Sequence, residues 1–182
     1  MSTIAMDYLE TVIKRLKYYK KLGEDAIAQL NTEDLHFAPN EECNSIAVIV
    51  QHMSGNMISR WTNFLEEDGE KEWRNRDGEF ELHDQNKEQI LEIWNRGWTC
   101  FLNAIEPLKK KDLRKTIYIR AESLTVVDAI NRQLAHYPYH IGQIIYVAKL
   151  RKGNQWKNLS IPRGASHNYN QSAGIKDPAK AM

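Results

Sequence analysis

Asp68-Gly-Glu-Lys-Glu-Trp-Arg-Asn-Arg-Asp-Gly-Glu-Phe-Glu-Leu-His-Asp-Gln-Asn86 joins two stretches of helical periodicity, and its length decides how they lie. Antiparallel helix neighbours are usually joined by about 2–8 residues. Here 19 residues intervene, from Asp68 to Asn86. The helix before the link, opening at Ser45 and running to about Leu65, is roughly 30 Å long. A chain of this length, extended, runs back along the whole helix to its starting end. The helices on either side of the link are therefore expected to be parallel.

Four long segments carry the 3–4 spacing of an amphipathic helix. The first runs from about Ile4 to Leu30, with Leu9, Ile13, Leu16, Tyr19, Ala26, Ile27 and Leu30 recurring. The second has Ser45 as its N-cap and a core stripe of Ile46, Val50, Met53, Met57, Trp61 and Phe64. The third spans Lys87 to Ile105, with Ile90, Trp94, Trp98, Phe101 and Ile105 on one side and Pro107 just beyond. The fourth begins at Thr125, paired with Asp128 as a capping box, and runs to about Arg151 before Gly153. Its seam is Val127, Ile130, Leu134, Tyr137, Ile141, Ile144 and Ala148. The fold expected is all-α: an up-down-down-up four-helix bundle with a long crossover between helices two and three. Residues 1–155 form the bundle and 156–182 an irregular tail. Asn31-Thr-Glu-Asp-Leu reads as one capped turn, and Lys115–Arg120 as a short strand or extended arm.

A chain of 182 residues, 42% hydrophobic with five Trp, suits one domain with a full core. A net charge of +1 gives no electrostatic case for nucleic acid. The opening Met-Ser-Thr-Ile-Ala-Met-Asp-Tyr-Leu-Glu lacks the basic and apolar regions of a signal peptide. The longest apolar run, Ile46–Val50, is too short to span a membrane. Two cysteines without a C-x-x-C, Cys43 and Cys100, read as free thiols in a reducing cytoplasm.

Three histidines carry the chemistry. His136 and His140, in Ala135-His-Tyr-Pro-Tyr-His-Ile-Gly-Gln143, are four residues apart and share one helix face. His52 lies near the start of helix two, and antiparallel packing of helices two and four brings it level with the pair. Three neutral imidazoles with an open fourth position make a catalytic rather than a closed structural zinc-type centre. The competing reading is three unrelated surface or core histidines. Pro138, between the pair, costs roughly 3 kcal/mol inside a helix and is expected to kink it. Beside the apolar seams run two polar stripes: Gln133, His136, His140, Gln143 with Val147, and Ser45, Val48, His52, Asn56, Ser59 with Asn63. The first can simply be the solvated edge of its seam, while the polar members of the second are candidates to orient a ligand imidazole or an activated water. No carboxylate falls on either stripe, so no general base is named. His36, His83 and His167 read as solvent-facing.

The arrangement resembles the DinB/YfiT-like superfamily of metal-binding four-helix proteins over about residues 5–150. The likeness is carried by Ala47-Val-Ile-Val-Gln-His-Met53 and, most specifically, by His136-Tyr-Pro-Tyr-His-Ile-Gly-Gln143. Gly55-Asn-Met-Ile-Ser-Arg-Trp61, Asp68-Gly-Glu-Lys71 and Arg74-Asn-Arg-Asp-Gly-Glu-Phe80 look like an uncharacterised bacterial branch of it. The resemblance implies that His52, His136 and His140 bind a divalent metal such as zinc or nickel. It also implies kinship with S-transferases that use low-molecular-weight thiols and with a mycothiol-dependent isomerase.

Two functions are expected from this. One is a metal-dependent enzyme, a thiol S-transferase or a hydrolase, acting on a small molecule in the cytoplasm. Arg60, Arg74 and Arg76 are either ordinary surface salt-bridge residues or its partners for an anionic substrate, and Cys43, ahead of helix two, is a rival nucleophile. The other is a non-catalytic, homodimeric metal-binding or stress-response scaffold.

Overall fold

The computed structural model describes residues 3–172 together with Gly174, Asp177 and Ala179. Met1, Ser2 and parts of the expected tail lie outside the described residues. The chain is mostly helical. Its order is α1 (Thr3–Ala28), α2 (Thr32–His36), α3 (Ile46–Trp61), α4 (Lys87–Ile105), β1 (Thr116–Ile119), β2 (Glu122–Thr125), α5 (Val126–Lys152) and α6 (Ser166–Gln171). Three short 3-10 turns, Asp77–Phe80, Asp112–Arg114 and Gly153–Gln155, complete it.

The helix starts follow from local chemistry. Ser45 Oγ accepts from the Val48 N–H, and Thr125 Oγ1 from the Asp128 N–H. Asn31 with Asp34, and Asn86 with Gln89, form reciprocal capping boxes that open α2 and α4. Helix α3 stops at Trp61, short of the expected Leu65, because Asn63 turns into the left-handed region at φ 49. Asparagine is among the few non-glycine residues that enter this region readily. Pro138 sits between the two histidines of α5, and the helix runs on through it to Gly153.

Neighbouring residues give the directions. A Cβ on Gly97 would lie 2.7 Å from the Ser54 Cα, so α3 and α4 pack backbone to backbone. Farther along, Cys100 faces Met57 O, and the rings of Phe101 and Trp61 are 4.9 Å apart. Both helices advance together, as the link length required. The link itself returns beside α3. Ser59 Oγ donates to Gly69 O at 2.7 Å, and Gln51 Nε2 to Gly78 O at 2.9 Å. Helix α5 packs on α3, with Tyr137 Oη donating to Asn56 Oδ1 at 3.3 Å.

All five residues expected on the inner face of the third helix are buried, and Trp61, Trp94, Trp98, Phe101 and Tyr137 stack into one aromatic cluster. On α1 the buried position is Val12 rather than Ile13, and on α5 Val126 and Ala129 are more deeply buried than Val127 and Leu134. The expected extended arm is the first strand of a hairpin. Its turn, Arg120-Ala121, has two positive φ angles, 56° and 61°. Two-residue hairpin loops favour this geometry, normally with Asn or Gly. Here Asp68 substitutes for turn chemistry, its carboxylate accepting from the Arg120 and Ala121 N–H groups at 2.8 Å each. Among the described residues no helix is long and apolar enough to cross a membrane.

Candidate metal centre

The i, i+4 spacing on α5 sets His136 and His140 one turn apart, and α3 brings His52 to them. Their ligating nitrogens all lie within 4.8 Å of one another, and the His136 and His140 Nε2 atoms are 3.0 Å apart. His52 is buried, while His136 and His140 are half-buried. The described residues hold no other such group of His, Cys, Asp or Glu.

Hydrogen bonds at the far side of two rings fix which nitrogen is free. His140 Nδ1 donates to Gln143 Oε1 at 2.8 Å, and Gln143 is itself oriented by donating its amide to Tyr139 Oη. His52 Nδ1 donates to Glu79 Oε2 at 3.0 Å. Both rings therefore turn an Nε2 lone pair toward the cluster, the role such outer partners play at metal sites. Burial lowers the His136 pKa to about 4, reinforced by the charges of His140, His52, Arg60 and Arg74. Burial also lowers that of His140. These imidazoles are thus neutral near pH 7, the state that binds a cation. Three imidazole nitrogens, two of them with fixed lone pairs, suit a borderline divalent ion. The three histidines can bind a metal ion.

Glu79 was invisible in the sequence because it comes from the link. Its carboxylate is gripped by Arg74, whose Nε and Nη2 donate to the two oxygens at 2.7 and 2.9 Å. Burial alone would raise its pKa, but the bonds from His52 and Arg74 and their charges outweigh burial and hold it below the usual carboxylate range. It is a fixed anion rather than a proton donor. Phe80 tilts against the His52 ring at 4.8 Å between centroids. Gly55 makes room for this arrangement, since a Cβ there would overlap the Glu79 carboxylate.

Of the polar stripe on α3, none but His52 reaches an imidazole nitrogen. Asn56 takes the Tyr137 hydroxyl, and Ser59 is spent on Gly69 O. On α5, Gln143 orients His140, a role that was not expected from the sequence. His36 binds Gln85 O, and His83 and His167 are exposed and outside the cluster. Cys43 is an exposed free thiol, and Cys100 a half-buried one beside Thr62 and Met57 O.

His52 and His136 line a cavity of about 600 Å³, together with Asn56, Gln133 and Tyr139. Arg60, Arg74 and Arg76 line it too, joined by Arg120 and Arg132. A second cavity, of about 640 Å³, shares Arg74 and has Glu79 and Gly55 in its wall but none of the three histidines.

No curated protein matches the chain. No solved structure matches it either. One family model does, over residues 3–165, and its description is "Protein of unknown function". Covering nearly the whole chain, that match makes this protein a member of the DUF1572 family.

Proposed function

We propose that this protein is a metal-dependent enzyme that transfers a low-molecular-weight thiol to an electrophilic small molecule. In this reading His52, His136 and His140 hold a divalent ion such as zinc or nickel. The fold is an up-down-down-up four-helix bundle of the DinB/YfiT kind. The observation that carries the reading is three converging imidazole nitrogens, two of them oriented by Glu79 and Gln143, with His52 and His136 in the wall of an open cavity. A divalent ion bound there would supply the Lewis acidity that lowers the pKa of a bound thiol or water.

The chain's own residues favour a thiol over water. Hydrolysis calls for a base to take a proton from water. No Asp or Glu among the described residues lines the cavity, and Glu79 is immobilised by Arg74 and His52. In thiol transfer a sulfur–carbon bond forms, the leaving group departs with the electrons of the broken bond, and the thiol proton passes to solvent. The residues' tasks are to keep His136 and His140 neutral, hold His52 and His140 in one orientation and admit two small molecules.

The test is elemental analysis of the purified protein, followed by thiol transfer to a panel of electrophiles with and without chelator. Stoichiometric metal, activity lost on its removal and restored by zinc or nickel, and full activity in Cys43→Ser support the reading. A metal-free protein that still turns over, beside an inactive Cys43→Ser, overturns it.

A further inference from the structure

The cavity beside the three histidines has an unbalanced charge. Five guanidinium groups line it and, among the described residues, no carboxylate does. Behind the wall, Glu70 is shared by Arg60 at 2.8 Å, Arg120 at 3.1 Å and Arg74 at 3.8 Å, while Glu79 takes the fork of Arg74. Two carboxylates thus serve three arginines. Arg76 reaches only Asp77, at 4.0 Å, whose side chain is 99% exposed, and otherwise lies over the Phe80 ring. Arg132, on the first half of α5, has no ion-pair or hydrogen-bond partner among the described residues. One further group in the wall is unsatisfied. Gln133 is 4% exposed, and its buried Oε1 has no hydrogen-bond partner among the described residues. A buried acceptor without a donor costs about 1–3 kcal/mol, so a ligand that donates to it is favoured.

We propose that this cavity binds a small oxyanion-bearing molecule, a carboxylate or phosphate, held by Arg132 and Arg76 with Gln133 accepting a hydrogen bond from a neighbouring N–H or O–H of the same molecule. Guanidinium forks match the planar edge of a carboxylate or two oxygens of a phosphate. Arg60, Arg74 and Arg120 supply field, since their own forks are already occupied. The inference rests on the thiol-transfer reading only for what the molecule is: the anion belongs to the thiol or to its electrophile.

The test uses the full chain freed of metal, titrated calorimetrically with succinate, inorganic phosphate and the uncharged 1,4-butanediol. Succinate or phosphate is expected to bind, weaken as sodium chloride rises, and lose at least tenfold in affinity in the Arg76→Gln/Arg132→Gln double variant. Both positions are exposed, so the fold should tolerate the changes. Arg114→Gln, an exposed arginine away from the cavity, should bind as the wild type does. The tighter of succinate and phosphate identifies the oxyanion. Binding of neither, or undiminished binding by the double variant, overturns the proposal. Anion binding in a protein that transfers no thiol leaves this inference standing and removes the catalytic one. Thiol transfer indifferent to charge on both substrates, with no anion bound, does the reverse.

Discussion

Glu79 Oε2 lies 3.0 Å from the Nδ1 of His52, a contact made across 27 residues by a segment with no regular periodicity of its own. It joins the link to the three-histidine cluster, and it is the point at which the two are most easily separated by experiment.

Glu79→Gln keeps the shape and an acceptor while removing the charge. It is expected to weaken metal binding about 10–100-fold, the usual effect of losing an outer partner of a ligand imidazole. Glu79→Ala should do more, because the Arg74 side chain, 2% exposed, is left buried without its main partner. Breaking a buried pair in this way costs about 3–5 kcal/mol. Competition with a chromophoric chelator reads the first effect, and urea unfolding of the metal-free protein the second. Equal metal affinity in wild type and Glu79→Gln would show that His52 needs no help from the carboxylate.

His136 supplies a pH prediction. Its folded pKa is about 4 against an ordinary value of 6.5, burial being the main cause. Between these two values the unfolded chain binds more protons than the folded one, so the stability of the metal-free protein should fall as pH drops from 6.5 toward 4. His136→Phe removes the titrating group and should flatten that part of the profile while abolishing stoichiometric metal binding. Fold should survive, since the apolar seams carry most of the stability. Denaturant midpoints across this window, wild type against variant, are the measurement. A parallel fall in both would place the acid sensitivity elsewhere.

Asp68 and Ala121 make a pair of opposite signs. Ala121 is held at φ 61 and Arg120 at φ 56, a region that costs an L residue roughly 1–2 kcal/mol. Asp68 offsets this with two backbone hydrogen bonds. Asp68→Ala is expected to destabilise by about 1–3 kcal/mol. Ala121→Gly, which relieves the strain, should stabilise by up to about 1 kcal/mol. Thermal unfolding of the two variants decides it, and a destabilising Ala121→Gly would contradict the account.

These cases show what the sequence made legible. The His136–His140 pair could be read because helical spacing is a local rule, and His52 because the 19-residue link constrained the direction of its helix. The caps at Ser45, Asn31 and Thr125 could be read for the same local reason. Glu79 could not, since nothing periodic ties residue 79 to residue 52. The hairpin turn was hidden because Arg120-Ala121 lacks Gly or Asn, and its support comes from Asp68, about 50 residues away. Arg60, Arg74 and Arg76 could be suspected as anion partners, but Arg120 and Arg132, arriving from the hairpin and from α5, become neighbours only in the folded chain.

Gly55 puts the link's role to its sharpest test. It lies on α3, and a Cβ there would overlap the Glu79 carboxylate. That carboxylate is no loose side chain end: Arg74 grips both oxygens and His52 the second. Gly55→Ala gains helix propensity worth about 1 kcal/mol, so on local grounds it should stabilise. If the Glu79–His52 contact matters as argued, the displaced carboxylate should instead weaken metal binding in the same direction as Glu79→Gln. The double variant Gly55→Ala/Glu79→Gln should then bind metal little worse than Glu79→Gln alone, because both changes act through one contact. Additive losses in that cycle, read by the same chelator competition, would mean that Gly55 acts by some other route.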